Sequence, residues 1–236
     1  MDINFKVFQV VVGKFRMSDP KDNFVIKDVK KVFLHKNFSV GPGDFISHDV
    51  AILQLNDPVP DYSTTASPVC LPGSHHQDID ILFNSAINGL YDKEAWLSGW
   101  GISGESGKKI TPPNYAWYDH DTGTWYHTPS SKEIPDKMNK YLVEVLSFGH
   151  IKDLVNVTSE RENILLARPL AEATILSIDS GSPLMVQNED GKFLIIGVAS
   201  FGHYNDGSSS KPIGFMRVSS FLPWIKDTLE IQKEIP

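Results

Sequence analysis

The 236-residue chain is 41 % hydrophobic and 22 % charged, the balance of a soluble globular protein with one medium domain or two small ones sharing an interface. Its formal charge of -7 gives no positive field to draw in phosphates, which argues against a nucleic-acid partner, and no apolar run reaches the length of a membrane span. One cysteine, Cys70, excludes a disulfide framework within the chain.

The opening MDINFKVFQVVVGKF has no cationic flank ahead of an apolar block and no small-residue cleavage site, so it is not read as a signal peptide. Phe5 to Phe15 is rich in Val and Phe and reads as a strand ending at Gly13. Phe24 to Leu34 reads as a second strand. Val50 to Leu55 is a third, short and apolar enough to be expected buried on both faces. Asn56 to Pro60 breaks the pattern, and Pro68 to Pro72 forms a rigid extended piece before a crossover to a second half. Ala95 to Leu97 leads into Ser98-Gly99-Trp100-Gly101, a strand whose glycines allow close backbone approach.

A long polar and aromatic stretch, Ile102 to Pro135, contains AWYDHDTGTWYHT, Ala116 to Thr128. The run is nearly symmetric about Asp121-Thr122-Gly123, which predicts a hairpin with facing aromatics. Its Asp119, His120, Asp121 and His127 lack the ligand spacing of a structural metal site, so it is read as a solvated hairpin or a partner-binding surface, and no metal is expected. Lys140 to Leu146 alternates like a strand. Pro183 to Gln187 and Phe193 to Ser200 form a predicted hairpin through Asn188-Glu189-Asp190-Gly191, and Gly214 to Val218 is a further strand. Ser220 to Ile235, with Leu222, Ile225 and Leu229 at helical spacing and Pro223 in the first turn, predicts a terminal amphipathic helix. Many short strands and one late helix make an all-β fold of barrel or sandwich type.

The segment DSGSPL, Asp179 to Leu184, sets a serine between an acid and small residues just ahead of an apolar strand. A serine hydroxyl becomes a useful nucleophile only when a base takes its proton, so Ser180 raises the question of a partner. HDVAILQL (His48 to Leu55), PVCLP (Pro68 to Pro72), SGWG (Ser98 to Gly101), DSGSPL, VASFG (Val198 to Gly202) and GFMRVSSFLPWI (Gly214 to Ile225) follow one another in an order that resembles the trypsin/chymotrypsin family of serine peptidases, from about Phe5 to the C-terminus.

The resemblance implies two Greek-key β-barrels of the chymotrypsin type with a cleft between them and a C-terminal α-helix. It divides the chain into a partial first barrel (1–80), a second barrel (81–219) and the helix (220–236). It makes Ser180 the nucleophile, Asp49 the buried acid that orients a histidine base, and Asp179 the acid that pairs with the amino terminus freed on activation. Ile178 and Ser180 would supply the oxyanion-hole N–H donors. Thr174 would floor the specificity pocket, Ile213 would narrow its wall, and Ser200, Phe201 and Gly202 would bind substrate backbone. The family's catalytic histidine belongs to an Ala-Ala-His-Cys segment ahead of the strand matched by Phe8 to Gly13, and that segment is not among these residues; the first barrel is accordingly expected to be incomplete. His48 is set aside as the base because strand neighbours face opposite ways, and His35 because the family often carries a non-catalytic histidine there.

Other departures are Ile178 where glycine is usual, Ser182 for a glycine, and Leu176 and Ala95 for half-cystines. Thr174 brings no carboxylate to attract Arg or Lys. Cys70 is either a tether to an upstream chain or a free thiol. Secretion follows from the resemblance, with sequons at Asn37 and Asn156 as glycosylation candidates. No cofactor is expected, and the partner is a peptide or protein in the inter-barrel cleft. The expectation is a serine endopeptidase domain that is inactive as it stands, or else a non-catalytic homologue that binds or regulates.

Overall fold

A computed structural model describes residues 8–16, 18, 24–41, 45–59, 66–72, 94–100, 116–119, 124–127, 137–146, 161–170, 179–188, 190–202 and 212–234. The N-terminal half holds β1 (Gln9–Val12), β2 (Val25–Leu34), β3 (Ser39–Gly41), β4 (Phe45–Ser47) and β5 (Ala51–Leu55). Strands β1, β2 and β5 form a three-stranded antiparallel sheet in the order β1-β2-β5, and β3 pairs with β4 in a separate hairpin. The next strands are β6 (Glu94–Gly99), β7 (Ala116–Asp119), β8 (Thr124–His127), β9 (Asn139–Leu146), β10 (Ile164–Pro169), β11 (Pro183–Gln187), β12 (Phe193–Gly202) and β13 (Ile213–Arg217). Six of them close a barrel in the order β10-β13-β12-β11-β6-β9. A 3-10 turn at Val218–Phe221 leads into α1 (Leu222–Glu234). Among the described residues the protein is thus mostly strands, with one closed six-stranded barrel, a three-stranded N-terminal sheet and a late helix, as a chymotrypsin-like fold requires.

Alternation explains the barrel. Ala95 and Leu97 of β6, Val143 and Val145 of β9, Leu184 and Val186 of β11, Leu194 and Ile196 of β12, and Ile213 and Phe215 of β13 all point into one buried cluster. Strand β10 is buried on both faces: Leu165 and Ala167 enter that cluster, while Ile164 and Leu166 join Leu146, Met216 and Phe221 in a second one outside the barrel. Val50, Phe201, Trp224 and Ile225 pack against this second cluster, so it joins the barrel, the helix and the N-terminal half. The β11–β12 turn closes as predicted, with Gly191 at φ 76° and the Asn188 N–H donating to the Lys192 carbonyl at 2.9 Å.

The N-terminal sheet lacks such a core. Of its apolar residues only Val29 is buried, and Leu34 and Leu53 lie 59 % and 47 % exposed. Strand β5 therefore departs from the expectation of burial on both faces. Its apolar composition is that of a barrel wall, but three strands form an open sheet and cannot enclose an interior. A second correction concerns α1. Leu229 is 47 % exposed, and Thr228 is buried in its place, its hydroxyl donating to the Trp224 carbonyl at 2.7 Å. The buried face runs through Trp224, Ile225 and Thr228 because the helix rests on the second cluster by its first turns.

The predicted aromatic hairpin forms. Trp117 pairs with Tyr126 and Tyr118 with Trp125 across β7 and β8. His120 and Asp121 lie outside the described residues, as does most of the stretch from Ile102 to Pro135. Strands β3, β4 and β10 were not foreseen from the sequence.

Candidate active site

Ser180 sits exposed at the apex of a tight turn, between buried Asp179 and Gly181. Gly181 has φ 87°, a left-handed backbone that a side chain would strain. Its N–H donates to the Ala199 carbonyl at 2.8 Å, and the Ala199 N–H donates back to the Ser182 carbonyl at 3.0 Å. The Ser182 N–H closes the turn on the Asp179 carbonyl at 2.9 Å. These bonds clamp the serine turn to the end of β12, one residue from Ser200.

Strand β12 bulges at that point. Ala199 faces Phe215 and Phe201 faces Gly214, which leaves Ser200 as the extra residue. A bulge re-aims the side chain it carries. Here it turns the Ser200 hydroxyl toward the N-terminal half, where it donates to Asp49 Oδ2 at 2.6 Å. Ser200 is buried, so this charge-assisted bond is shielded on the serine side. It joins residues 151 positions apart and ties the turn after β4 to the barrel.

Asp49 follows His48, a non-glycine residue at φ 53°. The Val50 N–H folds back onto the His48 carbonyl at 2.8 Å. His48 is therefore in a turn and not on a strand, which corrects the reason for setting it aside: the left-handed backbone, not strand alternation, sends the two side chains apart. The His48 ring stacks on His35 with centroids 4.9 Å apart, while Asp49 reaches Ser200. Burial, then His48 and Lys36, hold the His35 imidazole below its ordinary pKa of 6.5.

Beyond the bulge, Gly202 faces Ile213, which is buried, and the Phe201 ring lies flat against Gly214, where a Cβ would run into it. Asp179 is 1 % exposed and packs against Gly99, whose absent side chain makes room for Oδ1. Gly99→Ala should therefore destabilise the protein by about 1–3 kcal/mol, because the carboxylate would have to leave a buried position; a denaturant midpoint equal to that of the parent would contradict this close packing. Cys70 forms a parallel bridge to Leu194, donating its N–H to the Phe193 carbonyl and accepting from Ile195 N–H, both at 3.0 Å; its thiol is free and half-buried. Asn37 is exposed. Thr174, Leu176, Ile178 and Asn156 lie outside the described residues. Among the described residues no three His, Cys, Asp or Glu side chains meet as a metal site, and no helix is long and apolar enough to cross a membrane.

The family model described as Trypsin matches residues 4–225. The chain belongs to the trypsin family. It is 24 % identical over 233 residues to a CLIP domain-containing serine protease B4 of Anopheles gambiae, covering 95 % of this chain and 55 % of that protein. It is 24 % identical over 236 residues to mouse chymotrypsin-C, covering 95 % of this chain and 70 % of the relative. It is 25 % identical over 233 residues to the human atrial natriuretic peptide-converting enzyme, of which it spans 18 %. The chain thus spans about half the length of the first of these relatives and less than a fifth of the third.

Trypsin-family serine proteases act on protein or peptide substrates, and the closed barrel, the serine turn and the Ser200–Asp49 bond lie within the matched span. The structure brings Asp49, Ser200 and the Ser180 turn into one neighbourhood. Sequence reasoning missed that Ser200 bonds Asp49 directly. It also missed the His35–His48 stack, for which 13 residues and an unforeseen hairpin left no local signal.

Proposed function

We propose that this chain is a trypsin-family endopeptidase domain with Ser180 as nucleophile and Asp49 as the acid that orients a histidine base. The observation that carries the reading is the Ser200–Asp49 bond, which fixes a carboxylate from the N-terminal half against the strand clamped to the serine turn. The N–H groups of Ile178 and Ser180 form the oxyanion hole, Ser200 to Gly202 hold substrate backbone, Thr174 brings no carboxylate to the pocket floor to attract Arg or Lys, and Ile213 narrows its wall. Asp179 is the activation acid. The division follows the family: a partial first barrel over 1–80, a second barrel over 81–219 and a helix over 220–236. The domain is secreted, with Asn37 and Asn156 as glycosylation candidates and Cys70 as either a tether to an upstream chain or a free thiol.

These 236 residues on their own cleave peptides feebly. The two histidines nearest Asp49 in sequence, His35 and His48, are engaged in a stack against Phe221 and Trp224. A nucleophile without its base loses on the order of a millionfold in turnover. The test is hydrolysis of a peptide library by the purified chain and its Ser180→Ala variant, with fluorophosphonate labelling in parallel. The expected result is no Ser180-dependent turnover near the ordinary range of about 1–1000 per second. Turnover in that range, abolished by Ser180→Ala, would overturn the feeble-activity reading and leave the nucleophile assignment standing.

A second reading, a non-catalytic homologue that binds or regulates through the same cleft, is favoured by buried Ile213 opposite Gly202. It expects peptide binding unchanged by Ser180→Ala and no labelling under any condition.

A further inference from the structure

The rings of His35 and His48 stack with planes 18° apart. Phe221 stands edge-on to both, at 5.5 Å and 5.7 Å, and Trp224 stands edge-on to His35 at 5.0 Å. The two imidazoles come from the N-terminal half, one after β2 and one from the turn between β4 and β5. The two larger rings come from the 3-10 turn and the first turn of α1. Four aromatic groups thus join a sheet with almost no buried core to the helix that packs on the barrel.

The hydrogen bonds favour the uncharged form of this stack. The Asn37 backbone N–H donates to His35 Nδ1 at 3.3 Å, so that nitrogen must offer a lone pair. A proton placed there would set N–H against N–H. Ser47 Oγ lies 2.6 Å from His48 Nδ1 and accepts or donates equally well, so this contact tolerates either form. The charged residues on these elements are Lys36 beside His35, Asp49 beside His48, and Lys226, Asp227, Glu230, Lys233 and Glu234 along α1. Asp49 is turned to Ser200, and the groups that act on His35 are His48 and the cation Lys36. No carboxylate is among the groups that act on His35.

We propose that the His35–His48 stack is an acid-sensitive latch: protonation of His35 parts the rings, loosens the N-terminal half from α1 and relaxes the turn that aims Asp49. The turn is coupled to the stack through backbone as well, since the His35 N–H donates to the Val50 carbonyl at 3.2 Å and Val50 bonds back to His48. Because the latched form holds the His35 proton less tightly than the released form, the latch is at full strength above about pH 6.5 and is lost as pH falls through the lower, latched value. The latch stands whether or not Ser180 is a nucleophile; its effect on Asp49 is a distance change at the Ser200 contact and needs no turnover to be seen.

Trp224 reports on it directly, since an imidazolium quenches a neighbouring indole. The experiment follows tryptophan emission of the whole chain from pH 8 to pH 5, subtracts that of Trp224→Phe, and records thermal midpoints over the same range. The expected result is one titration of the Trp224 component with a midpoint below 6.5, accompanied by a fall of several degrees in Tm. His35→Phe, which keeps a ring in the stack and removes the proton, should abolish both. A flat Trp224 component, a midpoint at or above 6.5, or an unchanged titration in His35→Phe overturns the proposal. Should His35→Phe fail to fold, the His35 ring-proton NMR shift in the parent chain gives the same decision: a midpoint below 6.5 that coincides with a shift of the Trp224 indole supports the latch, and an ordinary midpoint overturns it.

Discussion

Replacing Phe215 by alanine is expected to cost about 3–5 kcal/mol, a large part of the roughly 5–15 kcal/mol by which proteins of this kind are stable. Phe215 is 0 % exposed at the centre of β13 and projects into the cluster that fills the closed barrel. Its Cβ lies close to Gly197, where an added Cβ would come within 3.0 Å, so the strands around it are already in contact and cannot close over the void. The lost transfer energy and the unfilled cavity therefore add. Thermal unfolding should report a midpoint lowered by roughly 10 °C. Phe215→Leu, which leaves a smaller void, should lose less than half as much, and equal losses for the two variants would show that the site collapses freely.

The second large effect is expected at Ser200. Ser200→Ala removes the donor to Asp49 and leaves a carboxylate turned toward a buried strand without that bond, at a cost of about 1.5–3 kcal/mol. The loss should be specific to the pair. In a cycle of Ser200→Ala, Asp49→Ala and the double variant, the double variant should be little worse than the worse single one, giving a coupling of about 1 kcal/mol or more. Additive losses would mean that the bond carries no energy of its own. The same change should weaken the hold of the N-terminal sheet on the barrel, because among the described residues Val29 is the sheet's one buried apolar residue and the Ser200 bond is a direct link across.

The barrel was legible in the sequence wherever alternation was clean. Asn139–Leu146 and the Pro183–Gln187 to Phe193 hairpin were found within a residue or so, since an inward row of Val and Leu between turn residues has one reading. Strand β10 was missed because its first four residues, ILLA, are all apolar and buried: a strand buried on both faces shows no period of two. Strands β3 and β4 are three residues each, too short for any pattern. The exposed Leu53 and the buried Thr228 were misjudged for a shared reason. Composition gives a residue's preference for burial, while the neighbouring elements decide whether anything covers it. For the candidate site, the order of short motifs located Asp49, Ser180 and Ser200. What could not be read was the bulge at Ser200, a one-residue offset that exists only once β12 and β13 are in register.

That offset has a consequence for how the molecule forms. The Ser200–Asp49 contact closes a loop of 151 residues, and closing so long a loop is entropically costly before any other contact offsets it. Three of the six barrel pairings, β9–β10, β11–β12 and β12–β13, join strands consecutive in the chain, and every barrel pairing closes a shorter loop than this contact, so the barrel can condense first. The carboxylate should then dock late, onto a surface already built. In a refolding time course, the far-ultraviolet signal of the strands should recover before any probe of Asp49, and a chain halted between the two steps would hold a finished barrel beside an unassembled site.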